Sequence, residues 1–354
     1  MAMKNLKTQG FVLLDVDVVA LNNAGKSNST LNDNGVATKT ILKNGRTYVY
    51  VSGQAWRYWW REALQKNMGW KLSPVVRDSK IAYTNANPVV YPDDDVFGYM
   101  RAATEIVKNE KGKEKKENMT VTRVSPLKNS AIVSIASVTV AENWSSMARQ
   151  EGDSVPYTKQ EYCAVMKGMF SLDLSMIGTF SNYNKTGYMN LSETLKKEAL
   201  EQGATEINDP FMYNQKLIRL NKEVRTQRAV DTVQALKYMS GGAMQTDNMG
   251  DVTPKFIILA TTNTGNHPFS HVATAKGGFD KTAQLNVAGI EEVIEDYRDT
   301  FIGKVFIGKR SGFWDEEDEN LKILAEKYKD LVMLGTVNGA IDAYCEQIKK
   351  QLDE

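Results

Sequence analysis

The chain has 354 residues, 42% of them hydrophobic and 25% charged, with a formal net charge of +1. Those values allow a sizeable core and exclude both global disorder and a uniformly basic nucleic-acid coat, so any polyanion site must be a local patch balanced elsewhere. The balance is visible at residues 313–354, which carry eleven acidic residues against five lysines. Cys163 and Cys345 are the only cysteines and stand in no recognisable spacing, which excludes a disulfide scaffold and fits a reducing compartment. No apolar run approaches the roughly 18 residues of a membrane span. Residues 1–9 lack the apolar stretch of a signal peptide, so a soluble cytoplasmic protein is expected.

Residues 10–21 alternate apolar and polar side chains and predict a strand. Residues 22–34, crowded with Asn, Ser, Gly and Thr, predict a loop. From Gly35 to Arg61 there are five Lys or Arg and no Asp or Glu. Ser52 sits where an N-cap belongs, and a helix is expected over 54–65 with Arg57 and Arg61 on one face. Of its three tryptophans, Trp56, Trp59 and Trp60, two are expected in the core. Residues 67–95 predict an irregular insertion rather than core, with Asp93, Asp94 and Asp95 as solvated carboxylates in a proline-containing turn.

Residues 96–107 read as a strand, 108–118 as a charge run at a hairpin tip, and 131–141 as a strand. A polar excursion is expected at 143–159, then a strand in which Phe170, Leu172, Leu174 and Met176 alternate with polar residues. A long helix at 211–239, a glycine-rich loop at 240–252 and a buried strand at 254–262 follow. The remainder reads as mostly helical with a short strand at 303–307. Without the insertions the order is β-α-β-β-α-β. That predicts an α+β fold of ferredoxin-like or RRM-like type, one palm domain with its helices on one sheet face and the other face free.

No constellation for catalysis stands out. His267 and His271 flank Pro268 in a loop, without a Cys or carboxylate cluster to complete a metal site. The letters GKS at 25–27 lack the earlier glycine of a phosphate-binding loop. The basic signal is better: Lys39, Lys43, Arg46, Arg57 and Arg61 suit phosphates, and Ser52 and Gln54 can add neutral hydrogen bonds. Gly241 and Gly242, followed by Ala243, Met244 and Gln245, can present backbone N–H groups to a phosphate, or simply end a helix. Lys216, Arg219, Lys222, Arg225 and Arg228 recur every third residue upstream, a spacing that drifts around a helix.

The motifs SGQAWRYWWREAL, DDDVFGYMRA, RVSPLKNSA and SGGAMQTDNMGDVTPKFII, in this order, resemble one family. It is the crRNA-binding, RAMP-like backbone subunit of type I CRISPR effector (Cascade) complexes, in its DevR-like autoregulator branch of subtype I-B. The resemblance spans roughly residues 10–307 and implies a non-catalytic scaffold that polymerises along CRISPR RNA and presents guide bases to target DNA. It implies fingers at 67–95, with a basic tip at 108–118, and a thumb hairpin at 142–160. Implied partners are further copies of the chain, a large subunit, a guide 5′-end cap subunit and a guide-processing endonuclease. It implies no cofactor and no metal.

Carried over motif by motif, the guide contacts would be Asn22, Asn23 and Lys26 in the first loop, with Lys39, and Ser52, Gln54, Arg57 and Arg61 at the helix start. Gly98, Tyr99, Met100 and Arg101 form the central motif, Gly241 to Gln245 the glycine loop, and Trp144 and Met147 apolar wedges on the thumb. Two alternatives stay open: metal-dependent RNA cleavage by Asp33 in the first loop, and a DNA-binding transcriptional autoregulator. The second lacks a helix-turn-helix signature.

Overall fold

A computed structural model describes residues 5–25, 35–78, 81–102, 104–108, 114–118, 120–147, 151–185, 189–277 and 281–353. Its main elements are strands β1 (Lys7–Val19), β2 (Thr40–Lys43) and β3 (Arg46–Val51), then helices α1 (Gly53–Met68) and α2 (Pro92–Phe97). Strands β4 (Ile132–Ser134), β5 (Ala141–Met147) and β6 (Val155–Asp173), helix α3 (Lys222–Gln234) and strand β7 (Phe256–Thr262) follow. The chain closes with α4 (Val287–Asp296), β8 (Val305–Lys309), α5 (Asp318–Lys327), β9 (Val332–Gly335) and α6 (Val337–Asp353).

The large sheet runs β9-β8-β7-β1-β6-β4-β3-β2, antiparallel except between β8 and β9. At its centre β1 lies between β7 and β6, and β4 lies outside β6. The chain is a mixed α+β protein with one large sheet, in which α1 separates β3 from β4 and α3 separates β6 from β7. What differs from the expectation is the cover. Val12, Leu14 and Val16 face a core shared with α1, α3 and α6, whereas Phe11 and Leu13 face a second core with α4 and α5. The second sheet face is therefore not free. Strand β1 is buried on both sides over most of its length, as a sheet covered on both faces requires.

Helix α1 buries Trp56, Trp59, Trp60, Ala63 and Leu64, one stripe at helical spacing. All three tryptophans are core, one more than expected. Trp56 and Trp60 stack at 5.4 Å, and Phe170 meets Trp60 edge-on at 5.1 Å. The Ser52 hydroxyl accepts from the Ala55 N–H at 3.3 Å, a cap of about 1 kcal/mol, and Gly69 closes the helix in the left-handed region.

Several expectations fail for tertiary reasons. Residues 67–95 contribute core: Trp70, Val89 and all three aspartates are buried. The strand expected at 96–107 starts as the end of α2 and then forms two short strands outside the large sheet, Tyr99–Arg101 paired with Val121–Arg123 and Thr104–Lys108 paired with Glu114–Asn118. Only Ile132–Ser134 of the strand expected at 131–141 joins the sheet. The long helix expected at 211–239 is a strand, Lys216–Arg219, followed by α3 and a 3-10 turn. Among the described residues, no helix is long and apolar enough to cross a membrane.

Candidate nucleic-acid interface

Four segments distant in sequence meet where β1 runs out. The Leu21 carbonyl accepts from the Ala243 N–H at 2.9 Å, and the Asn22 carbonyl from the Lys39 N–H at 2.8 Å. The Asn22 side-chain oxygen accepts from the Ser52 N–H at 3.0 Å, tying the first loop to the start of α1. The Thr38 N–H donates to Gln160 Oε1 at 3.0 Å, which adds the base of the β5–β6 hairpin. The sequence-predicted Asn22, Asn23, Lys39, Ser52, Gln54 and the glycine loop are thus brought together.

The glycine loop is locked to that edge. A Cβ on Gly241 would stand 2.3 Å from the Trp59 ring, and one on Gly242 2.8 Å from Leu21. Gly242 also has φ +113°, open only to glycine at low cost. Met244 is left-handed at φ 56°, and Gln245 Nε2 donates to the Gly241 and Gly250 carbonyls. Gln245 therefore holds the loop shut with its amide.

Asn22 and Ser52 hold the first loop and the helix start; among the described residues, exposed polar groups at this edge include Asn23 and Gln54, with Lys39 half-buried. Tyr58, four residues after Gln54 and 60% exposed, stands on the same helix face. Sequence reasoning assigned it no contact; its i, i+4 spacing from Gln54 is the signal that could have found it. The helix N-terminus adds a partial positive charge there.

The hairpin of β5 and β6 pairs Ala141 with Glu161 through Met147 with Val155. Trp144 and Met147 are both largely exposed on it. At its base Val36 bridges Lys159, whose ammonium lies 3.2 Å from Glu161 and 4.0 Å from Asp247.

The arginines behave otherwise. Arg57 donates to the carbonyls of Leu127 (2.7 Å) and Phe97 (2.8 Å), to Asn129 Oδ1 (3.1 Å) and to Ser125 Oγ (3.0 Å). Burial, with the neighbouring Arg61 charge, pulls its pKa down to about 10. This guanidinium is consumed in joining α1 to the 97–129 region, so the phosphate contact expected of Arg57 is not supported by its geometry. Arg61 stacks on Phe97 at 4.1 Å, its pKa lowered by burial against the pull of Asp93 and Asp94. It too faces inward rather than toward the loop edge.

The central motif is split. Gly98 is required by φ +74° and by the Arg123 carbonyl, 2.5 Å from where a Cβ would sit. Tyr99 is buried and donates to the Asn190 carbonyl. Met100 is 70% exposed, and Arg101 donates to the Asn85 carbonyl at 3.1 Å. Asp95, expected in solvent, is buried between Arg123 and Arg228 and also accepts from the Gly178 N–H at 2.9 Å. Arg228 further donates to the Pro88 and Val89 carbonyls, and Arg225 is buried against the Leu220 carbonyl. Neither of these arginines is available to a groove. Lys26, Asp33 and residues 109–113 of the basic tip expected at 108–118 lie outside the described residues.

His267 Nε2 is hydrogen-bonded to the Gly10 carbonyl at 2.9 Å, and burial pushes its pKa down. Among the described residues no group of three His, Cys, Asp or Glu is placed to hold a metal ion.

This α+β fold has counterparts among solved structures. The chain is similar to a solved chain titled "CRISPR RNA-guided surveillance complex", with TM-score 0.53 and 11% identity over 96% of this chain and 99% of that one. A second, titled "CRISPR RNA-guided surveillance complex, pre-nicking", gives TM-score 0.51 and 9% identity over 97% and 99%. No curated protein matches the chain in sequence. The family described as CRISPR-associated negative auto-regulator DevR/Csa2 matches residues 12–282, and the chain belongs to that family.

Proposed function

We propose that this chain is a non-catalytic, RNA-binding backbone subunit of a type I-B Cascade complex. In this reading copies polymerise along CRISPR RNA, each holding a stretch of guide backbone on the edge formed by Asn23, Lys39, Gln54, Tyr58 and the glycine loop. The observation that carries it is the convergence of the first loop, the start of α1, residues 241–245 and the hairpin base on one edge. The order of β1, β4, β6 and β7 supports an RRM-like palm, and the exposed Trp144 and Met147 support a thumb whose apolar tip separates guide bases. Any spacer must fit, so the grip works on phosphates and 2′-hydroxyls while base pairing to target DNA supplies the sequence reading. The large subunit, the guide 5′-end cap subunit and the processing endonuclease are the further partners in this reading.

Sequencing the RNA that co-purifies with the full chain tests it. Repeat-derived guides are expected; an absence of RNA from the purified protein, or a random mixture, sinks the proposal. Sequence-specific footprints on duplex DNA by the RNA-free protein would favour an autoregulator instead. Regular Mg²⁺-dependent cuts in guide-matched RNA, lost in Asp33→Ala, would make the subunit an enzyme.

A further inference from the structure

On the sheet face opposite α1 lies a cavity of about 470 Å³, within the range of small-ligand sites. Its floor follows from register. Met166 and Phe170 pack into the core beneath α1, so Lys167 between them projects to the other face. There it sits beside Val133, its pairing partner, and near Tyr48 and Ile41, which pair with each other across β2 and β3. Lys43 enters from the end of β2 with its ammonium 5.7 Å from the Tyr48 ring centre, and His271 and Thr274 form the opposite wall.

Among the described residues, no Asp or Glu lines the cavity. Lys167 donates to the Ser270 carbonyl at 2.8 Å, one bond from a group with three donors. Burial and the nearby Lys43 charge both lower its pKa, so the two ammonium groups feel each other across a partly desolvated space. Holding two like charges together without a lining carboxylate is unfavourable until an anion enters between them. In a cavity rather than on open surface, that attraction is screened less by water. The aromatic and aliphatic floor of Tyr48 and Ile41, the latter 52% exposed, suits a ribose or base beside the anion.

We infer that this cavity seats a phosphate of single-stranded nucleic acid between Lys43 and Lys167, at a second site separate from the guide-holding edge. The choice of a nucleic acid over another polyanion rests on the proposed function. The site gives the subunit a place for a strand other than the guide it holds.

The test uses the full chain with its co-purified RNA retained, so that the guide edge is filled, and a fluorescent 12-nucleotide oligouridine as probe. In Lys43→Met with Lys167→Met the probe is expected to bind at least about tenfold more weakly, with a salt slope shallower by about 1.4, roughly 0.7 per lost cation. Co-purified RNA should be unchanged. Uridine monophosphate competing for the probe in the parent protein would assign the phosphate to a free nucleotide; failure to compete would assign it to a strand backbone. If the double variant does not fold, exposed Lys43→Met alone carries the same comparison. Unchanged probe binding overturns the site, and loss of the co-purified RNA as well overturns its separateness. Equal displacement by polyglutamate would mean an acidic protein segment occupies it instead. Should the parent protein carry no RNA, the guide-holding reading fails, while the probe assay on the bare chain still decides the cavity.

Discussion

The loop edge and the buried arginine network draw on the same residue types and use them in opposite ways. Around Asp95, the guanidinium groups of Arg123 and Arg228, with Arg57 and Arg61 nearby, bind carbonyls, a carboxylate and the Phe97 ring, fixing α2 against α1 and α3. Among the described residues of the loop edge the charges are few, and the accessible groups are an amide, an asparagine and a tyrosine. Positive charge in a sequence therefore does not by itself mark an exposed cationic surface. Arginine's planar fork satisfies several buried carbonyls at once, which makes it a structural cement as readily as a phosphate clamp.

The largest way to break this contrast is Asp95→Ala. Removing one carboxylate leaves two buried guanidinium groups unpaired, and a loss of about 3–5 kcal/mol is expected in urea unfolding. A cost below about 1 kcal/mol would mean that the network is not closed in solution. Arg57→Ala should come next, at about 3 kcal/mol, because it removes four part-buried charge-assisted hydrogen bonds and leaves the Phe97 carbonyl without its donor. If it instead left stability intact and weakened RNA binding alone, Arg57 would belong to the loop edge after all.

Asp93 sharpens the same contrast through pH. Its side chain is buried, accepts from the Ser73 N–H, and has its pKa raised to about 6, chiefly by burial. A carboxyl whose pKa is higher in the folded than in the unfolded chain binds its proton more tightly when folded. Stability should therefore fall as pH rises from about 4 to 6, by up to about 2 kcal/mol from this group. Asp93→Asn should flatten that slope in unfolding midpoints taken across the window; an unchanged slope would assign the titration elsewhere.

The smallest expected effect on the fold comes from the exposed pair. Gln54→Ala with Tyr58→Ala should leave the unfolding midpoint within about 0.5 kcal/mol of the parent. RNA affinity should drop about fivefold to tenfold, equally for unrelated guide sequences. Loss confined to one sequence would point to base reading rather than backbone grip.

Much of this was legible in the chain itself. Residues 54–65 read as a helix because the apolar spacing and the Ser52 cap agree, and the alternation at residues 10–21 marks strand β1. The convergence at the loop edge could be anticipated only through the family resemblance, because no local pattern says that Leu21 will pair with Ala243. The arginines were misread for a similar reason. A run of cations without acids looks solvated until the Leu127 and Phe97 carbonyls and the Phe97 ring that engage Arg57 and Arg61 are brought in from elsewhere in the chain.

By itself the sequence determined which segments are helix or strand where apolar spacing is strong, where α1 begins, and that any polyanion site is local. Tertiary structure alone decided that the second sheet face is covered, that Asp93, Asp94 and Asp95 are buried, and that Lys43 and Lys167 face one cavity. Helix and strand patterns depend on contacts a few residues apart, which composition and spacing record. The direction in which a cation points depends on partners tens to hundreds of residues away, and those are fixed only when the sheet closes.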